Sequence, residues 1–352
     1  MMHGTVNCTG LYSHASVARV LMPLAYSIIC PLGLVGNALA LHVIYTKLTK
    51  LNPSMLYSAN LAVSDLLFCL SLPLRAIYYG LSFHWPMGEA LCKAITLLFY
   101  VNCYAGVNFM TCLAVDRFVA VALRKRFVWP RKMRNVKVIC LLMWVLVLAQ
   151  TLPLLNVPMT HLDPAGTITC MEYPNFENSV EGLPYILIGA VVLGYGIPLG
   201  TILICYSAIS QRLWLAAKSN RLTERSGRTH KARSVISGVV LVFVVCFTPY
   251  HVNLLQYMIR KLLYEPDCTE LHSFQISLHV TVCLMNFNSC LDPFVYFFAC
   301  SGYKKKVLRL LKRQVSPSIS SAAHSSPDSS GAHEQKIHLS RNNKTPGSDH
   351  QG

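Results

Sequence analysis

The chain has 352 residues, of which 53% are hydrophobic and only 13% charged, with a mean hydropathy of +0.42. A soluble domain carries about 25% charged residues, so this composition all but excludes a soluble globular protein. The formal charge of +16, from 31 Lys+Arg against 15 Asp+Glu, would alone suit a nucleic-acid binder, but its placement along the chain argues against one.

Residues 1–19 form a polar opening segment with a glycosylation sequon at Asn7-Cys8-Thr9. Seven apolar runs follow, near residues 20–46, 55–80, 90–122, 136–157, 183–211, 234–259 and 272–299. Each can supply the roughly 20 apolar residues that a helix needs to cross a bilayer. None has the short apolar core and cleavage site of a signal peptide, so the first is expected to be an uncleaved anchor. The fold class is thus an all-α membrane protein, a seven-transmembrane helix bundle over residues 20–299. Residues 300–313 place Val307, Leu308, Leu310 and Leu311 opposite a cluster of cations. That predicts an amphipathic cytoplasmic helix lying on the lipid surface. Residues 314–352 are rich in Ser, His and Pro and are expected to be disordered.

The segments after the first, third, fifth and seventh runs hold 26 of the 31 Lys and Arg. Positive charge marks the cytoplasmic side, so the N-terminus is expected outside and the tail inside. The +16 then becomes a topology signal and a surface for anionic lipids and acidic partners, with no nucleic acid in the picture. Cys8, Cys92, Cys170 and Cys268 all fall on the outer side, and an even number in an oxidising compartment points to two disulfides. No metalloprotease, nucleophile-elbow, Walker or dinucleotide motif occurs in a suitable context, so an enzyme is not expected. Nor are there internal repeats of the kind on which transporters are built.

Ionisable residues inside a span are costly and mark function. Here they are Asp65 and Arg75 in the second run, Asp292 in the seventh, and Asp116-Arg117 closing the third. With Gly36-Asn37, Trp144, Pro198 with Tyr206, Phe243 with Phe247-Thr248-Pro249, and Asp292-Pro293-x-x-Tyr296, the pattern resembles the rhodopsin-like (class A) G-protein-coupled receptors. Residues 99–112, 170–176 and 246–252 further resemble the oxysterol-receptor branch of that family. The resemblance implies a plasma-membrane receptor for a dihydroxylated cholesterol that signals through inhibitory G proteins and arrestin and guides immune-cell migration. It also implies roles in activation and G-protein coupling for Asp116, Arg117, Tyr206, Phe243, Pro249, Asp292, Pro293 and Tyr296. A Cys92–Cys170 disulfide is implied in the same way, while Cys8–Cys268 rests on parity and sidedness.

Asp65 and Asp292 resemble the family's sodium-site carboxylates, with Asn102 and Asn288 (and Asn37 and Ser289) as further oxygens. The alternative is a protonated, hydrogen-bonded Asp pair. Gly106 stands where the family usually has a serine, and Thr229 where many relatives have a glutamate that restrains Arg117. Arg75 is either an arginine reaching for the interface or a ligand anchor. With Tyr100, Tyr104, Phe247 and Tyr250 it would wall a slot for a rigid apolar ligand bearing hydroxyls. A chemokine or peptide ligand is the competing reading. Such ligands usually meet an acidic outer tail, and residues 1–18 contain no Asp or Glu. Ser316, Ser318, Ser320, Ser321, Ser325, Ser326, Ser329 and Ser330 are candidate phosphorylation sites whose charge would suit arrestin.

Overall fold

The computed structural model describes residues 15–46, 51–123, 129–163, 166–172, 182–219 and 225–299. The amphipathic segment 300–313, the serine tail, Cys8 and Asn7 lie outside them.

Among the described residues, the helices are α1 (Ala15–Tyr45), α2 (Pro53–Gly80), α3 (Gly88–Phe118), α4 (Met133–Thr151), α5 (Leu183–Val191), α6 (Ile197–Ser219), α7 (Arg225–Leu263), α8 (Cys268–Asn286) and α9 (Asn288–Ala299). They make seven spans. A five-residue π turn, Val192–Gly196, joins α5 to α6 in one rod. Pro198, lacking an N–H, follows that turn, and a skipped backbone bond there is what a wider turn accommodates. The last span is α8 and α9 in tandem, broken at Phe287. Six spans are long and apolar enough to cross a membrane by composition alone; the broken seventh completes the bundle.

These helices are apolar all round, which distinguishes a membrane helix from an amphipathic surface one. On α1, Met22, Ile29 and Asn37 are buried, while Leu24, Ile28, Leu32 and Val35 form an exposed stripe. On α4, Leu141, Leu142 and Val145 are exposed in the same way. In water such a belt would aggregate; in lipid it is solvated.

The interior is held by small residues and polar clips. A Cβ on Gly36 would lie 2.8 Å from Pro293 Cγ, so only glycine lets α1 and α9 approach this closely. The Trp144 indole N–H donates to Asn60 Oδ1 at 2.8 Å and ties α4 to α2. At one end, strands β1 (Thr160–Leu162) and β2 (Ile168–Cys170) form an antiparallel hairpin pairing Thr160 with Cys170. The sequence reading missed this hairpin because its strands are only three residues long. Glu89 at the start of α3 accepts from Met159 N, Thr160 N and Thr160 Oγ1 at 2.6–2.9 Å. Buried Trp85 donates its backbone N–H to Ile168 O. The Cys92–Cys170 disulfide completes the clamp, so the hairpin caps the bundle rigidly.

Candidate functional site

Beneath the hairpin, a cavity of about 180 Å³ lies between the spans. Arg75, Tyr100, Tyr104 and Tyr250 all line it. Tyr100 and Tyr104 share one face of α3 because they are four residues apart, and Tyr250 follows Pro249 on α7. Phe247 does not line it. It is buried below, with its ring 5.1 Å from Phe243, and a Cβ on Gly106 would sit 3.2 Å from its Cζ. Its place one turn deeper on α7 makes it part of the floor packing and not of the wall.

Arg75 is only 5% exposed, which rules out the interface-anchor reading. Its guanidinium lies 5.2 Å from the Phe99 ring centroid, and Nη1 reaches Met171 Sδ at 3.5 Å. Its Nε is buried with no hydrogen-bond partner. A charged donor held this way, against rings, is a strong anchor for a ligand oxygen.

The sequence reading also missed Glu172. Just past β2, it is buried, lines the same cavity and accepts the Tyr78 hydroxyl at 3.0 Å. That hydroxyl in turn accepts the Cys170 N–H. Burial pushes the Glu172 carboxyl above its ordinary range, against the pull of His279, Tyr78 and Arg75. Tyr79, Phe99, Gln150 and His279 complete the polar and aromatic lining. The one available signal for Glu172 was its position two residues after a loop cysteine, since the disulfide drags whatever follows Cys170 over the cavity. An apolar slot with one buried cation and one buried carboxyl, facing inward, suits a neutral ligand whose hydroxyls both donate and accept.

Deeper in the bundle, Asp65 and Asp292 are fully buried and their carboxyls lie against each other. Asn288 Nδ2 donates to Asp292 Oδ2 at 3.0 Å and Asn102 Nδ2 to Asp65 Oδ1 at 2.9 Å. The Asn102 oxygen accepts from Ser289 Oγ. Asn102 therefore turns its nitrogen to the acid, contrary to the expectation that it offers a free oxygen. Asp65 Oδ2, Asp292 Oδ1, Asn37 Oδ1 and Asn288 Oδ1 are buried without a donor. Two facing carboxyls surrounded by orphaned oxygens demand a cation or a shared proton.

At the opposite end, Asp116 is buried, accepts from Ser54 Oγ, and pairs with Arg131 Nε at 2.7 Å. Arg131 sits in a short 3₁₀ turn, Trp129–Arg131, after α3. No motif singled out Arg131, because a lone arginine in a basic run carries no local signal. Arg117, half-buried beside this pair, lies near enough to buried Tyr206 to act on it electrostatically. Phe243 is buried against the Tyr195 ring, Pro249 lies within α7, and Pro293 packs on α1. Tyr296 lies on α9 and Thr229 on α7, but their side chains are outside the described residues, as are those of segment 124–128.

A seven-span bundle, a capped inner cavity, a buried carboxylate pair and an Asp-Arg at a helix end define a membrane receptor, not an enzyme. The chain belongs to the 7 transmembrane receptor (rhodopsin family), whose model matches residues 36–296. It is 69% identical over 323 residues to G-protein coupled receptor 183-B of Danio rerio, spanning 92% of this chain and 88% of that one. To human G-protein coupled receptor 183 it is 55% identical over 324 residues, spanning 92% and 89%. A fowlpox virus G-protein coupled receptor homolog, FPV206, is 34% identical over 259 residues, spanning 73% and 82%.

Proposed function

We propose that this receptor sits in the plasma membrane with its hairpin end outside, binds a dihydroxylated oxysterol in the capped cavity, and signals through inhibitory G proteins and arrestin to guide immune-cell migration. The observation that carries the ligand assignment is the buried, half-satisfied Arg75 opposite Glu172 in an aromatic slot. A carboxylate there repels an anionic ligand, whereas a hydroxyl donates to Glu172 and accepts from Arg75. A chemokine or peptide ligand would be expected to meet an acidic outer tail, and residues 1–18 contain no Asp or Glu. At about 180 Å³ the cavity is below the roughly 300–1,000 Å³ usual for ligand pockets, so a four-ring ligand enters by parting Tyr250 and Leu254 from α3. That outward movement of α7 about Pro249 is the step that opens the Arg117 end to a G protein.

In the same reading, Asp65, Asp292, Asn37 and Asn288 would hold a sodium ion through their free oxygens. Cys8 pairs with Cys268, Asn7 carries a glycan, and the inner helix over 300–313 lies on the lipid surface. Displacement of a labelled dihydroxysterol from receptor-bearing membranes is the test. Hydrogen bonds to a charged group contribute roughly 1.5–3 kcal/mol, so Arg75→Ala should weaken binding about ten- to a hundred-fold, and Tyr250→Phe less than Tyr250→Ala. If Arg75→Ala binds the neutral sterol as tightly as wild type, or a basic chemokine displaces the label and the sterol does not, the reading is wrong.

A further inference from the structure

A second void, outside the capped cavity, lies on the opposite face of the same helices. Between the π turn and α7, a lipid-facing groove of about 330 Å³ is lined by Val191, Val192, Ile197, Val252 and Leu255, with Tyr195 and His251 at its floor. Val192, Ile197 and Val252 are 42–59% exposed on this outer wall, so whatever fills the groove comes from the bilayer. The π turn makes the groove. It bulges the backbone at Val192–Gly196, and Gly194 accepts the close approach of Tyr104, where a Cβ would lie 2.9 Å from the ring.

His251 gives the groove chemistry. It is 4% exposed, its ring stacks on Tyr195 with centroids 4.1 Å apart, and Nδ1 lies 2.8 Å from Phe247 O. A carbonyl cannot donate, so Nδ1 carries the hydrogen and Nε2 of the neutral ring is an acceptor. Nε2 has no hydrogen-bond partner among the described residues, although Tyr195 and Thr248 beside it satisfy each other. An acceptor left open on an apolar, lipid-facing groove wants a hydroxyl.

Depth narrows the class of hydroxyl. Nine residues of α7 separate His251 from Arg260, the first cation of its last turn, or about 14 Å at 1.5 Å per residue. A leaflet of a bilayer with a core of about 30 Å is roughly 15 Å deep, which puts Nε2 near the midplane. Phospholipid headgroups and the ring hydroxyl of an upright sterol stay at the interface. A hydroxyl on the sterol's tail reaches the midplane.

We infer that the groove between the fifth and sixth spans is a lateral docking site for a tail-hydroxylated sterol of the outer leaflet, with His251 Nε2 accepting the tail hydroxyl. The inference rests on the oxysterol reading above but concerns a second, outer site on the same helices. The groove lies open to the bilayer, so a sterol docked here would be held beside Tyr104 and the π turn before the bundle opens.

The test uses full-length receptor in lipid nanodiscs and a photoreactive dihydroxysterol, with adducts mapped by mass spectrometry. Wild type should carry adducts on Val192, Ile197 or Val252 as well as on cavity residues. His251→Phe keeps the ring stack but loses Nε2, and should cut the groove adducts roughly three- to tenfold, the worth of one hydrogen bond, while cavity adducts persist. Val252→Trp, which fills the groove from the lipid side without touching the core, should abolish them. A probe lacking the tail hydroxyl should label the groove no more than the His251→Phe level. Cavity labelling with a blank groove overturns this inference alone, as does groove labelling that is indifferent to His251→Phe, to Val252→Trp or to the tail hydroxyl. No specific labelling at either place overturns the sterol reading and this inference together.

Discussion

Single buried groups carry most of the site's character, and Glu172 illustrates how burial turns into a measurable pH effect. Burial raises its carboxyl above the value it has in an unfolded chain. Between the two values the folded receptor binds more protons than the unfolded one, so stability falls as pH rises through that window. Above the folded value the whole penalty stands. Glu172→Gln keeps an oxygen for the Tyr78 hydroxyl and removes the charge. Thermal unfolding of the detergent-solubilised variant should therefore occur at higher temperature than wild type at neutral pH, with the gap closing as pH falls into the acid range. A gap that stays constant with pH would mean that the ionised carboxylate is not the costly species. Arg75 is a buried cation: its guanidinium lies against the Phe99 face and Met171, and its Nε has no hydrogen-bond partner. Its presence was legible, since an arginine within an apolar run is conspicuous. Its inward direction was not, because one residue of rotation on a helix exchanges lipid for core.

Among the elements, the third span and the turn after it are joined by Asp116. The acid accepts from Ser54 at the start of α2 and from Arg131 beyond the turn, so one carboxylate pins two helices and a connection. Arg131 is about a third exposed while Asp116 is not. Removing the arginine leaves a buried charge short of one partner, at a cost of about 1.5 kcal/mol, the low end for a charged hydrogen bond. Arg131→Ala should lower the melting temperature by a few degrees, and Ser54→Ala in the same background should lower it further. No shift would show that Asp116 finds a replacement among its neighbours. At the other end, the Cys92–Cys170 bridge encloses a loop of 78 residues. In the chain-entropy account, closing a loop of that size stabilises by about 4–5 kcal/mol. Cys268 is also disulfide-bonded. If its partner is Cys8, Cys8→Ser must expose one new thiol at Cys268 to a membrane-impermeant maleimide on intact cells. Failure to label would place Cys268 with another partner.

For the whole molecule, the asymmetry of charge bears on orientation, and the distal tail, in the proposed function, on the end of signalling. With 26 of 31 cations on the connections after odd-numbered spans and in the tail, the positive-inside rule predicts that this side faces the cytoplasm, and the proposed function makes the serine cluster from Ser316 to Ser330 a substrate for kinases there. Truncation after Arg313 should abolish ligand-driven arrestin recruitment while leaving G-protein activation intact; unchanged recruitment would remove the tail from the mechanism. The number of the spans, together with the Asp65, Asp116-Arg117 and Asp292-Pro293 signatures, was determined by sequence alone, because hydrocarbon imposes a one-dimensional rule on every residue that crosses it. Which atoms meet was decided only by tertiary structure. Phe247 fell below the cavity, Asn102 turned its amide to Asp65, Arg131 reached Asp116 across a turn, and Glu172 was drawn inward behind Cys170. Each of these depends on helix rotation or on a link between distant segments. An apolar helix, hydrophobic on every side, carries no periodicity from which that rotation could be read.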